Sequence, residues 1–371
     1  MTSVKTSTAA LRHVKPEVLS IAAYTLAARP AAIKINQNEN PFDLPESVKQ
    51  KVVAAALERP WSRYPDFDPT ELLERLASFA GWRADGVLAG NGSNELIQAL
   101  LLVTVGAGSR VVIPEPTFTL YALLTKILGG VVVPVSLAAD LQYDAAELRR
   151  VRRDSEAPLT IVCSPNNPTG GSLPAAEIAA MCDEHDGLVV VDEAYHEFSR
   201  KSVVPLLRDH PNLIVLRTFS KAMSMAGLRV GYLMASPELV REINKARLPY
   251  NLNVLSQTAA IAALDDWPEL QKTVDRLIAA RETMLGKLRA VPGVKAHPSD
   301  ANFILLELLD AAPKPVFEAI YEQGVLVRDV SGYPRLGRCL RVSVGSEEEN
   351  AAFLDALGRA LQEQRLAKGA R

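Results

Sequence analysis

Lys221 sits in Arg217-Thr218-Phe219-Ser220-Lys221-Ala222, beside hydroxyl side chains and between two apolar stretches. Arg229 follows eight residues later in Gly227-Leu228-Arg229-Val230-Gly231. A lysine drawn away from water is a nucleophile that condenses with carbonyls, and an arginine fork suits a phosphate. Upstream, Leu188-Val189-Val190-Val191-Asp192-Glu193-Ala194-Tyr195 ends an apolar run on an acid. A carboxylate at such a strand end needs a cationic partner, because burying an uncompensated charge is costly. Ser164-Pro165-Asn166-Asn167-Pro168-Thr169-Gly170 offers an amide, Asn167, in the turn after another apolar run. Gly90-Asn91-Gly92-Ser93-Asn94-Glu95 is a glycine-rich turn opening a helix, whose free N–H groups attract an anion. It lacks both the dinucleotide fingerprint and the Gly-Lys-Ser/Thr of a P-loop.

Each pattern alone has a plain structural explanation: a surface lysine, a helix cap or a strand-exit turn. In chain order they supply a phosphate cradle, an amide, a strand-end carboxylate with a tyrosine three residues on, and a lysine followed by an arginine. That inventory matches the needs of pyridoxal 5′-phosphate. Lysine captures its aldehyde, and a carboxylate keeps its ring nitrogen protonated. An amide and a phenol bond the ring hydroxyl, while helix-end N–H groups, hydroxyls and an arginine hold the phosphate. His196, beside Tyr195, and Cys163, ending an apolar run, read as structural.

An α/β framework must hold these groups. Apolar runs at Arg110–Pro114, Val131–Val135, Leu159–Cys163, Leu188–Asp192, Leu213–Arg217 and Arg229–Met234 read as strands buried on both faces of a parallel sheet. Asp68-Pro69-Thr70-Glu71 reads as a helix cap with proline at the first helical position. Helices are expected over residues 94–104 and from Pro174 toward His185. After about residue 266 come a long helix, 268–290, strands at Asn302–Glu307, Gly324–Arg328 and Leu340–Val344, and a last helix, 346–366. The expected fold is α/β: an N-terminal arm, 1–44; a large domain, 45–265, with a mostly parallel sheet flanked by helices; and a smaller α+β C-terminal domain, 266–371.

Composition limits the function classes. The chain has 371 residues, 48% of them hydrophobic and 23% charged, as in an ordinary globular enzyme. A net charge of −2 offers no general field for nucleic acid or an anionic membrane. No apolar run reaches the roughly 18 residues of a membrane span. Cys163, Cys182 and Cys339 form no CxxC pair, so neither a metal site nor a disulfide framework is expected, and a reducing, cytoplasmic setting is.

With these motifs in order, the sequence resembles the fold-type-I pyridoxal-phosphate aminotransferases of the aspartate aminotransferase superfamily, over about residues 35–345. More narrowly it is similar to the histidinol-phosphate aminotransferases. The signs are Asn38-Glu39-Asn40-Pro41, Arg63-Tyr64-Pro65-Asp66, Gly92-Ser93-Asn94-Glu95, the Lys221 segment, and Leu340-Arg341-Val342-Ser343-Val344-Gly345. Aromatic amino-acid aminotransferases and amino-acid-phosphate decarboxylases share much of this set and stay open as alternatives. The resemblance implies that Lys221 holds the cofactor and moves the proton, and that Asp192 pairs with the ring nitrogen. It implies Tyr195 and Asn167 at the ring hydroxyl, Phe118 stacked on the ring, and Ser93, Asn94, Thr218, Ser220 and Arg229 at the phosphate. Tyr64 is implied to reach the cofactor of a neighbouring subunit, which requires a homodimer. Arg341 and Arg328 are implied to bind substrate carboxylate and phosphate, with Tyr24 and Asn302 at the rim. The implied reaction exchanges an amino group between histidinol phosphate and 2-oxoglutarate, giving imidazole-acetol phosphate and glutamate, in histidine biosynthesis.

Overall fold

The computed structural model describes residues 8–22 and 29–369. Its main sheet has seven strands: β1 (Val87–Gly90), β2 (Arg110–Glu115), β3 (Val131–Ser136), β4 (Leu159–Cys163), β5 (Leu188–Asp192), β6 (Leu213–Thr218) and β7 (Gly231–Met234). Their spatial order is β1-β7-β6-β5-β4-β2-β3, parallel except for β7, which runs antiparallel to β1 and β6. Side chains alternate between two buried clusters. Val189, Val191 and Val215 pack on one face, and Val190, Ile214 and Leu216 on the other. Two-sided burial is why the inner strands lack polar alternation; β3, expected to be buried on both faces, lies at the sheet edge and buries only Val135.

Six of these strands lie where the apolar runs place them. The first, Val-Leu-Ala-Gly, is too short and too poor in β-branched residues to stand out. β7 begins two residues later than expected because Arg229 takes φ +56, which no strand accommodates. The cap at Asp68 is overturned. Pro69 occupies the position before helix Thr70–Ala80 and no side chain caps it. Asp68 instead accepts from Arg247 Nη2 at 3.1 Å, so a distant arginine outcompetes the local helix end.

The C-terminal part holds the long helix Trp267–Arg289 and a four-stranded antiparallel sheet. Its strands are β8 (Val294–Ala296), β9 (Phe303–Leu308), β10 (Arg328–Asp329) and β11 (Cys339–Ser343), ordered β10-β11-β9-β8. The last helix, Glu347–Gly369, packs its Phe353 and Leu357 into the same core as Ile304 and Val342. The single strand expected over Gly324–Arg328 is split in two. Val325–Leu326 pairs in parallel with Ile33–Lys34, whereas Arg328–Asp329 pairs with β11. The arm is thus stitched to the C-terminal part, and Arg29 reinforces this through Glu318 and the Tyr321 ring. The next arm residues, Asn36–Glu39, run straight into the space between the two sheets.

Candidate active site

The carboxyl ends of β1, β4, β5 and β6 face one edge of the main sheet, together with the amino end of β7. Open α/β sheets bind ligands at this edge. Here it borders a cavity of about 460 Å³. Its lining includes Ser93, Asn94, Phe118, Asn167, Asp192, Tyr195, Thr218, Ser220, Lys221, Arg229, Arg328 and Arg341. The cavity therefore collects residues from four separate sequence motifs and adds two arginines from the C-terminal sheet.

One end is a cradle. Helix Ser93–Thr104 starts at Gly92, whose φ of +78 suits glycine. A Cβ there would stand 2.3 Å from Arg229 Nη2. At Gly231 a Cβ would stand 2.3 Å from Ser93 N, so β7 lies against the helix start only because Gly231 lacks a side chain. Arg229 Nη1 donates to Ser220 Oγ and to Ala226 O, both at 3.1 Å. Ser220 N donates to Thr218 Oγ1, and the two hydroxyls lie 3.0 Å apart. Free helix-end N–H groups, two hydroxyls and a guanidinium make a site for a doubly charged oxyanion.

The opposite end is acidic. Asp192 is 3% exposed and ends β5. It accepts from Tyr121 Oη at 2.6 Å and Ala194 N at 3.1 Å. Among the described residues no cation pairs with it, and burial pushes its pKa up to about 6. The neighbouring Glu193 is bound by Arg217, whose Nε lies 2.9 Å away, and by Ser202 and Val203 N. That buried pair ties the ends of β5 and β6 together beneath the cavity.

Between these ends Lys221 Nζ donates to Gln37 O at 2.8 Å. Burial, with Arg341 and Arg229 nearby, lowers its pKa to about 7. Arg341 Nη2 donates to Asn36 O at 2.7 Å, and Nη1 donates to Asn167 Oδ1. Arg328 faces it directly in the β10–β11 register.

A sequence model of the class I and II aminotransferases matches residues 30–357. The chain belongs to this aminotransferase family. A histidinol-phosphate aminotransferase from Chlorobium phaeovibrioides is 40% identical over 94% of this chain and 96% of its own length. One from Chlorobaculum tepidum is 40% identical over 88% of this chain and 94% of its own. The crystal structure of histidinol-phosphate aminotransferase from Sinorhizobium meliloti with pyridoxal-5′-phosphate is similar at a TM-score of 0.85 and 26% identity. It spans 95% of this chain and 98% of its own.

The aminotransferase cavity fits pyridoxal phosphate by its own chemistry. It holds a buried carboxylate with no cation beside it among the described residues at one end, an anion cradle at the other, and a lysine of lowered pKa between them. Tyr64, expected at a neighbouring subunit's cofactor, and Asn302, expected at the substrate rim, do not line this cavity. Tyr64 is 79% exposed and stacks on Tyr250 with 4.5 Å between ring centroids. Asn302 is buried behind the cavity and donates to Asn38 O at 3.1 Å. Tyr24 lies outside the described residues. Sequence reading missed the role of Tyr121, three residues after Phe118, which bonds Asp192. It also missed Asn36, Gln37 and Asn38, whose segment touches Arg341, Lys221 and Tyr195 at once. The Asn38-Glu39-Asn40-Pro41 motif marked this stretch without showing what it touches.

Proposed function

We propose that this chain is a pyridoxal-phosphate-dependent histidinol-phosphate aminotransferase, exchanging an amino group between histidinol phosphate and 2-oxoglutarate. The observation that carries the substrate reading is the Arg328–Arg341 pair. The two arginines are opposite one another across an antiparallel ladder and both line the cavity. Like charges directly opposite are unfavourable in a sheet. An anion taking both guanidinium groups removes that cost, and a phosphate monoester, close to a dianion, needs two forks rather than one.

When bound, pyridoxal phosphate supplies an aldehyde for amine capture and an electron-withdrawing ring. The protein does the rest. Thr218, Ser220, Arg229, Ser93 and Asn94 would hold its phosphate, and Phe118 would cover its ring. Asp192, ionised, would hold the protonated ring nitrogen, and Tyr195 and Asn167 would address the ring hydroxyl. Arg341 fixes the substrate acid, with Arg328 added for the phosphate. Lys221, with a pKa near neutrality, has a substantial neutral fraction at pH 7. It can accept the proton from the substrate carbon and return it.

The same reading makes the enzyme a homodimer in which Tyr64 reaches the partner's cofactor. Tyr64 and Phe67, both more than half exposed, meet on the Tyr250 ring and form a cluster of exposed aromatic side chains. It keeps the division into 1–44, 45–265 and 266–371. No described helix is long and apolar enough to cross a membrane. The three cysteines are free and buried, which suits the cytoplasm.

Glutamate formation from 2-oxoglutarate tests the reaction, with histidinol phosphate and phenylalanine offered as amine donors. The proposal expects kcat/KM at least about 100-fold higher for histidinol phosphate, the value of one charge-assisted contact pair. Equal or reversed values would move the enzyme to aromatic substrates. Release of carbon dioxide from an amino-acid phosphate would indicate a decarboxylase.

A further inference from the structure

The Tyr195 phenol is 4% exposed at the cavity wall, and its oxygen accepts from Asn38 Nδ2 at 3.0 Å. Ser343 decides which end of the Asn38 amide faces the phenol. The Ser343 hydroxyl accepts from the Asn38 backbone N–H at 2.8 Å and gives its own hydrogen to Asn38 Oδ1 at 3.1 Å. The amide oxygen is thereby taken and the amide nitrogen points at Tyr195. Asn302 holds the Asn38 carbonyl at 3.1 Å. Asn38 adopts φ +56, a left-handed conformation that asparagine tolerates better than most residues.

A phenol has one proton to donate. With Asn38 on its acceptor side, Tyr195 can only give that proton away, and among the described residues no acceptor receives it. The remaining direction is the cavity. Burial keeps the phenol protonated well above its usual range, against the opposing influence of Arg341 and Asn38.

We infer that Asn38 is a positioning residue that fixes Tyr195 as a hydrogen-bond donor into the cofactor cavity, with Ser343 setting its direction. The inference rests on the reading that this cavity holds pyridoxal phosphate. It has a structural consequence. β11 carries Ser343 two residues after Arg341, so the strand that grips the substrate acid also orients the donor to the cofactor ring.

The test is the pH titration of the visible band of the cofactor-loaded protein. In Asn38→Asp a carboxylate faces the phenol and accepts its O–H hydrogen bond, so the ring oxygen loses a donor and becomes more basic. The midpoint rises by about one pH unit, a tenfold change in proton affinity. Tyr195→Phe produces a rise of similar size, and combining the two adds nothing further. Added negative charge alone would still shift the Tyr195→Phe protein, and that additive result overturns the inference. Uncharged Asn38→Ala and Ser343→Ala, should the acid impair folding, each give a smaller rise; unmoved midpoints in both also overturn it. A wild-type protein with no titrating visible band would instead refute the cofactor reading itself.

Discussion

Tyr121→Phe removes one hydroxyl from beneath Asp192 and leaves a ring of the same shape packed edge-on against Phe118. Burial already holds the Asp192 pKa up at about 6, with hydrogen bonds from Tyr121 and Ala194 opposing it. A hydrogen bond to a charged group contributes about 1.5–3 kcal/mol. Since about 1.4 kcal/mol moves a pKa by one unit, losing Tyr121 lifts Asp192 by about one to two units. Near pH 6.5 its ionised fraction then falls about tenfold. The ring nitrogen of the cofactor is held protonated only by the ionised form. The cofactor-free variant should therefore bind pyridoxal phosphate about tenfold more weakly near pH 6.5 and recover toward pH 9. Equilibrium titrations followed by protein fluorescence at several pH values measure this. If the variant and wild-type affinity profiles run parallel across that range, Tyr121 does not support the carboxylate and the reasoning is refuted.

Asp192→Asn should abolish amino transfer yet stabilise the cofactor-free protein at pH 8. The folded pKa of about 6 lies above its ordinary 3.8, so the ionised form costs stability that is lost as pH rises through 6. Removing it recovers about 3 kcal/mol at pH 8 and progressively less toward pH 4, as thermal midpoints will register. Gly92→Ala, by placing a Cβ against the Arg229 guanidinium, should weaken cofactor binding in equilibrium dialysis while the fold, judged by circular dichroism, persists. Arg328→Ala should lower kcat/KM for histidinol phosphate about 10- to 100-fold and leave the glutamate half-reaction near wild type. An equal loss in both half-reactions would reduce Arg328 to general electrostatics.

The sheet was legible because two-sided burial writes itself as uninterrupted Val and Ile, and Asp192 and Thr218 stand at the ends of such runs. Local patterns failed where a distant partner decided the outcome. Asp68 left its helix end for Arg247, 179 residues away, and Arg229 gave up a strand conformation to reach Ser220 and Ala226. The cradle was readable because its glycines and hydroxyls are adjacent in the chain. Tyr121 and Asn38 were not, because their meaning lies in bonds to Asp192 and Tyr195 across 71 and 157 residues. Spacing carries no trace of such contacts. The resemblance implied that Arg328 joins Arg341 at the substrate, and the β10–β11 register is what sets them side by side.

The most direct measurement is a single-turnover visible spectrum of the cofactor-loaded enzyme mixed with histidinol phosphate, phenylalanine or glutamate. The account predicts that histidinol phosphate bleaches the band much faster than phenylalanine, that glutamate also bleaches it, and that Lys221→Ala prevents both. Faster bleaching by phenylalanine, or turnover of Lys221→Ala at the wild-type rate, would contradict it.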